Sequence, residues 1–450
     1  MENIINKINK YKSKLYILEQ RGGDIIGTGH SGCVLNPPLK CKNDNLENIE
    51  NIVSKIMTID DAELEYNQGI FLKQIDPDNQ YLIYPIKLCD PDPNIDVSII
   101  KNCYEGYKNH KLTNLKINQT KLLYYKYGGV RYSELKINDP CTDVLDIFES
   151  IPHLLEGLNL MHTNDYVHLD IHWKNIIVNK EKSKLNPYFI DFQFSTEIKN
   201  FLNILHTNDQ LNFLDTIQIY WPLELRLLDK QLIKVTDSNE IDKYINIIST
   251  NTVSSKYNWL KGIKNIIMPN ISYKVFFNSK KSFLLRDPEQ FCKEVLTQVK
   301  PMLLSPDIIK WRKSIGNAQE TILKKNTPEY ELYSELLKKA DVYAMGMFLT
   351  KIYIFFIGQK EIKYVPEKKP YIILNQKGMM INTNTINSKF LDDLYANLTK
   401  PFSLFIGKII NFNFKTRLTS GELLVEYKKL LPNFKKYISD PEFEKLFKLR

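Results

Sequence analysis

No cysteine of this chain stands in a CxxC pair or beside a histidine at metal-ligand spacing. The six, Cys33, Cys41, Cys89, Cys103, Cys141 and Cys292, are scattered. That argues against a zinc site and a disulfide framework, and the expectation is a chain suited to a reducing, cytoplasmic setting. Arginine-rich tracts and basic helices are missing too. The net charge of +9, from 61 Lys and Arg against 52 Asp and Glu, is therefore not read as a nucleic-acid footprint. The opening residues, MENIINKINKYKSK, lack the apolar core of a secretion signal. Long apolar runs are lacking as well. The nearest, VYAMGMFLTKIYIFFIG from Val342, is broken by Lys351 and falls short of the roughly 20 residues a bilayer needs. A buried helix, not a membrane span, is expected there. Neither an internal repeat nor a long low-complexity segment occurs.

What remains is a chain of 450 residues, 43% hydrophobic and 25% charged, long enough for two or three lobes of ordinary globular composition. Short β-branched and aromatic runs at 24–26, 52–57, 81–86 and 122–125 predict strands. One helical stretch, DDAELEYNQGIFLKQI, interrupts them, with Asp60 or Asp61 expected to cap its first turn. Ile147, Ile151, Leu154, Leu155, Leu158 and Met161 recur at helical spacing. NIIVN and YFIDF then resemble a hairpin, and helices dominate beyond residue 220.

Three constellations carry chemistry. In IGTGHSGCV the residues Ile26, Gly27, Thr28, Gly29, His30, Ser31, Gly32, Cys33 and Val34 fit G-x-G-x-x-G-x-V. A Walker A loop is excluded, because Cys33 and Val34 stand where Lys and Ser or Thr are needed. A Rossmann turn is excluded because Pro37 and Pro38 obstruct the helix it requires. A strand-turn-strand loop that folds backbone amides over phosphates survives. Lys55, within the apolar strand pattern NIVSKIM, is either a solvent-facing edge residue or a cation for the α- and β-phosphates. In the second case Glu65, with Glu63 as fallback, would hold it from the neighbouring helix. In YVHLDIHWKNIIV, Asp170 and Asn175 fit H-x-D-x-x-x-x-N, and Asp191 follows in YFIDFQFS. Phosphoryl transfer needs such a set: a carboxylate to take the attacking hydroxyl's proton, and two oxygen ligands for Mg²⁺.

In this order and at these intervals the chain resembles the eukaryotic-type protein kinase superfamily. The resemblance covers about 20–228 and 336–430. YWPLE ending at Glu224 looks like A-P-E, and ADVYAMG, Asp341 to Gly346, like the D-x-W-x-x-G start of the central helix. Arg417 looks like the usual partner of the A-P-E glutamate, and LLYYKYGG like the hinge. The phrasing IDPDNQYLIYPI and the overall layout look most like divergent kinases of large DNA viruses. That implies a site of action in an infected cell's cytoplasm or in the particle.

The resemblance implies an α+β, bilobal fold: a small antiparallel-sheet N-lobe (21–127) with one key helix, and a larger, mainly helical C-lobe (128–430). An extension (1–20), a helical insertion at about 229–335 and a tail (431–450) complete it. It implies an ATP- and Mg²⁺-dependent serine/threonine protein kinase, with Mn²⁺ as a possible substitute and a protein substrate as partner. Asp170 would be the base, assisted by His172, Lys55 and Glu65. Asn175 and Asp191 would hold the metal, and the glycine-rich loop with Lys55, Leu123 and Tyr125 the nucleotide.

Three positions depart from the pattern. Leu169 replaces the arginine before the base, so control by activation-loop phosphorylation is not implied. His172 stands for the catalytic-loop lysine, and an imidazole carries charge only near or below its ordinary value of about 6.5. Gln193 replaces the glycine of D-F-G. HLDIHWKN and IDFQ also resemble motifs of small-molecule kinases for aminoglycosides or choline, and a binding module that has lost catalysis is a third reading. From Asp229 to Ala340 there are 19 Lys and Arg against 12 Asp and Glu, so +7 of the +9 lies in the insertion. It reads as an anion-docking surface or as a solvated helical cap, with a capped amphipathic helix from Ser305.

Overall fold

The computed structural model describes residues 24–29, 32–42, 51–95, 97–104, 116–181, 184–201, 327–357, 361–363, 372–374, 380–381, 386–411 and 414–448, with isolated positions between 222 and 309. The fold is mixed α and β, with antiparallel sheets and a helical C-terminal part. The chain divides into two units. The first is Met1–Gly129 with Tyr188–Phe194, and the second is Val130–Pro187 with Ser195–Arg450.

The first unit is built on a five-stranded sheet. Its strands are β1 (Asp24–Thr28), β2 (Gly32–Asn36), β3 (Ile52–Thr58), β4 (Lys87–Cys89) and β5 (Thr120–Lys126), in the order β1-β2-β3-β5-β4. Helix α1 (Ile59–Ile75) follows β3 directly, and α2 (Val97–Tyr104) lies between β4 and β5 in the chain. In the central strand β3, Ile52 to Met57 are all buried, as a β-branched run covered on both faces requires. Alternate residues serve different neighbours. Ile56 joins Cys33, Leu35, Leu122, Ile99 and Cys103 in one apolar cluster. Lys55 and its partner Leu123 on β5 fall on the opposite face, and a slip of one residue would turn the lysine into the cluster.

Three sequence expectations change here. Residues 81–86 do not form a strand. Three backbone N–H groups, of Gln80, Tyr81 and Leu82, donate to the Asp76 carboxylate at 2.8–2.9 Å, and the strand comes at β4. The cap of α1 is Thr58, not Asp60 or Asp61. Its hydroxyl accepts from the Asp61 N–H and donates to the Asp61 carboxylate at 2.8 Å, a reciprocal arrangement across one turn. Finally, Cys33 pairs with Cys103 and Cys41 with Cys89 as disulfides, at Cα separations of 5.7 and 5.9 Å. Sequence separations of 70 and 48 hide both contacts, which the sheet and α2 create. The cysteine argument for a reducing compartment therefore lapses.

The second unit is organised around α3 (Pro140–Thr163), which begins at Asp139 with Pro140 in its first turn, and it buries all six residues whose spacing predicted it. Strands β6 (Val130–Arg131), β8 (Ile176–Glu181) and β9 (Lys184–Phe189) form one small sheet; the last two residues of β9 belong to the first unit. β7 (Tyr166–Val167) pairs with β10 (Thr196–Glu197). Helix α4 (Pro328–Ile357) runs 30 residues and starts 13 before Asp341, so the D-x-W-x-x-G segment lies inside this helix and not at its start. Residues 328–335, read as insertion, belong to it. The helix is long and apolar enough to cross a membrane, yet 88% of its most apolar window is buried in the protein, as in a core helix. Strands β11 (Glu361–Lys363), β12 (Ile372–Leu374) and β13 (Met380–Ile381) make a further sheet. Helices α5 (Ser388–Leu394), α6 (Lys400–Ile409), α7 (Ser420–Ile438) and α8 (Pro441–Lys448) complete the unit. An aromatic core binds them: Phe148 of α3 stacks on Phe434 of α7, and Tyr353 of α4 on Phe402 of α6, each at 4.3 Å.

Candidate functional site

In the first unit, β3 and α1 present Lys55 and Glu65 to each other across a buried gap. Lys55 Nζ donates to both Glu65 oxygens, at 3.0 and 2.8 Å, and lies 3.5 Å from Asp191 Oδ1. The Tyr125 hydroxyl donates to the same Glu65 Oε1 at 2.7 Å. Burial alone would push the Lys55 ammonium down, but the Asp191 charge and then that of Glu65 outweigh it and hold the group above its ordinary 10.5. Burial pushes the Glu65 carboxyl up from 4.5, against the pull of Lys55. With both oxygens accepting, the geometry is that of an ionised carboxylate. Burial and the neighbouring Glu65 charge raise Tyr125 well above 10, so its phenol stays a neutral donor. Glu63, the fallback partner for Lys55, is exposed.

The glycine-rich segment joins β1 and β2. Gly29 N–H donates to the Gly32 carbonyl at 2.9 Å, closing the turn, while His30 and Ser31 lie outside the described residues. Gly32 is required by packing, since a Cβ there would collide with the Ile56 carbonyl oxygen and the Met57 side chain. At Gly27 and Gly29 a Cβ would find only ordinary contacts, at 3.7 Å or beyond. Packing therefore leaves those two glycines unexplained, whereas close approach of a ligand to the backbone would account for them. Ile26 is 46% exposed, and Thr28 and Val34 are half-buried. Cys33 is spent on the apolar cluster and its disulfide. Leu123 is fully buried opposite Lys55.

The second unit holds the other set. Residues 168–175 form a closed loop in which Asn175 Nδ2 donates to Asp170 Oδ2 at 2.6 Å and to the Asp170 carbonyl at 3.0 Å. With its amide nitrogen so engaged, Asn175 has its Oδ1 as the atom that can ligate a cation. His172 Nδ1 accepts from the Lys174 N–H at 3.0 Å, which leaves Nε2 to carry the proton, 3.6 Å from Asp170 Oδ2. Trp173 anchors the loop to α4, edge-on to Phe355 at 5.3 Å and under Lys351 Nζ at 4.6 Å. Leu169 has a left-handed backbone, φ 57°, which a leucine adopts only under constraint. The constraint is Asp341: its carboxylate accepts the His168 N–H at 2.7 Å and the Leu169 N–H at 2.8 Å. The sequence did not disclose this role.

Arg417, fully buried, donates to the carbonyls of Lys339 and Asn411 and stacks on Tyr343 at 5.1 Å. Its expected partner Glu224 lies outside the described residues. Among the described residues no cluster of three or more His, Cys, Asp or Glu forms a ready metal site. The oxygen donors Asp191 and Asn175 are nonetheless the kind Mg²⁺ takes, since that ion retains most of its waters. Compared with known proteins, the chain matches no family model and no curated protein.

Proposed function

We propose that the chain is a bilobal, ATP- and Mg²⁺-dependent protein kinase that transfers the γ-phosphate to serine or threonine hydroxyls. One observation carries the reading: a buried lysine on the third strand binds a glutamate of the following helix and lies 3.5 Å from the aspartate of I-D-F. The three groups lie on the unit that also carries the glycine-rich loop, where packing requires Gly32 but not Gly27 or Gly29. The arrangement is the one phosphoryl transfer uses to grip α- and β-phosphates.

In this reading Lys55 binds the nucleotide phosphates, kept charged and aimed by Glu65. The loop amides of Gly27 to Gly32 cover those phosphates. Asp170, oriented by Asn175 Nδ2, accepts the proton of the attacking hydroxyl. His172 adds a proton donor beside it. Asn175 and Asp191 would hold Mg²⁺, which supplies positive charge at the β- and γ-phosphates. The protein acceptor and the cytoplasmic setting are parts of the same proposal.

The test is Mg²⁺-dependent binding of ATP, by calorimetry, to the wild type, Lys55→Met and Asp191→Asn. Binding that weakens at least tenfold in Lys55→Met, and loses its Mg²⁺ dependence in Asp191→Asn, supports the reading. Equal binding by all three would overturn it. A small-molecule kinase is the second reading, favoured by His172 beside Asp170, and acceptor assays separate the two.

A further inference from the structure

The segment that carries Asp191 is tied to α1 by the residue that the kinase resemblance would make a glycine. Gln193 Nε2 donates to Asp61 Oδ1 at 3.0 Å, and Gln68 Nε2 donates to the Gln193 carbonyl at 3.4 Å. Asp61, Glu65 and Gln68 are spaced i, i+4 and i+7, so they form one stripe along the helix. All three reach the same short segment, Asp61 and Gln68 through Gln193, and Glu65 through Lys55 to Asp191. Asp61 is buried, and its other oxygen is occupied by the Thr58 hydroxyl that caps the helix.

We propose that Gln193 and Asp61 act as a positioning clamp. The pair fixes the register of α1 against Asp191, so that Glu65 meets Lys55 before any ligand arrives. Gln193 touches neither nucleotide nor acceptor in this account; it acts through α1 and Asp191. The left-handed backbone of Asp191, φ 63°, is a conformation a non-glycine residue holds only when its neighbours fix it, and Gln193 is two residues away. The inference rests on the phosphotransfer reading for its catalytic consequence, but not for the clamp itself.

The test uses the full chain and four variants: Gln193→Gly, Gln193→Glu, Asp61→Asn, and Gln193→Glu combined with Asp61→Asn. Glycine removes the side-chain tie. Glutamate sets a second carboxylate against Asp61. The double variant rebuilds the bond with donor and acceptor exchanged: the asparagine oxygen still serves Thr58, and its amide faces the new carboxylate. Two readouts are taken, deuterium exchange of the 59–65 region without nucleotide, and KM for Mg·ATP against KM for a protein acceptor.

The expected result is faster exchange and a KM for Mg·ATP raised about threefold to tenfold in both single Gln193 variants. The acceptor KM stays unchanged, and the double variant recovers most of both losses. A wild type that transfers phosphate while Gln193→Gly and Gln193→Glu match it in exchange and KM would overturn the clamp alone. A double variant no better than Gln193→Glu would do the same. A wild type that binds no Mg·ATP would overturn the functional reading, and with it the catalytic role of the clamp, while exchange would still report whether the tie exists.

Discussion

Replacing Asp341 by asparagine isolates the strained loop that carries Asp170. The carboxylate accepts two backbone N–H groups, at 2.7 and 2.8 Å, and lies 3.3 Å from His162 Nε2, all of them buried. An amide has one acceptor oxygen, so whichever way it turns, one N–H must face an NH₂. An unsatisfied buried donor costs about 1–3 kcal/mol, and the surviving bond loses the strength a charge gave it, about 1 kcal/mol more. The expected loss is therefore about 2–4 kcal/mol, a large share of the roughly 5–15 kcal/mol that holds a typical protein together. In a thermal melt of a unit this size that is a fall of roughly 3–6 °C. Leu169, no longer held at φ 57°, relaxes, and Asp170 moves with it. Phosphotransfer should fall further than the melting point alone explains, when measured at a temperature where the variant is fully folded. Glu156→Ala is the control. It breaks an exposed pair with Lys428 at 3.0 Å on the neighbouring helices and should cost about 0–1 kcal/mol. An Asp341→Asn variant as stable as Glu156→Ala would refute the reasoning, and so would one that melts early but keeps full activity.

Gly32→Ala should destabilise the first unit by about 1–3 kcal/mol, since its Cβ meets the Ile56 backbone, whereas Gly29→Ala should leave the melt unchanged and weaken Mg·ATP binding; a calorimeter measures both. Lys55→Met leaves Glu65 buried without its cation and should cost about 3–5 kcal/mol, while Lys55→Met with Glu65→Leu should be more stable than that single variant. In the wild type the folded pKa of Glu65 is raised, so the cost of burying its charge is full above that value and is relieved as pH falls through it. Because Glu65 must stay ionised to hold Lys55, Mg·ATP affinity should be lost on the acid side at a pH above 4.5, an acid limb that Glu65→Gln abolishes. Lys55, raised above 10.5, contributes stability below that pH and loses it only as pH rises through the folded value.

What the sequence disclosed was local. A β-branched run followed at once by a capped helix made Lys55 and Glu65 neighbours in the chain before they were neighbours in space. The spacing of Asp170 and Asn175 likewise marked one loop. What it hid depended on register over long separations. Gln193 and Asp61 are 132 residues apart, and no pattern in either segment announces their hydrogen bond. The cysteine pairs follow from which strands and helices adjoin, not from spacing. Helix α4 starts earlier than the D-x-W-x-x-G pattern implies, because that pattern marks a motif and not a helix boundary; Tyr330, Tyr333, Leu336, Leu337 and Ala340 already line a buried face of its first turns. Asp341 looked like the opening residue of that helix. Only the fold shows its carboxylate holding two amides of a loop 172 and 173 residues earlier.

The central claim is tested most directly by transfer of labelled γ-phosphate from Mg·ATP to generic protein substrates, for the wild type beside Asp170→Ala. Phosphoamino-acid analysis and a panel of small hydroxyl acceptors are run on the same preparations. The account predicts label on protein serine or threonine that disappears in the variant. Label on small hydroxyl compounds alone, or no transfer by a wild type that still binds Mg·ATP, would contradict it.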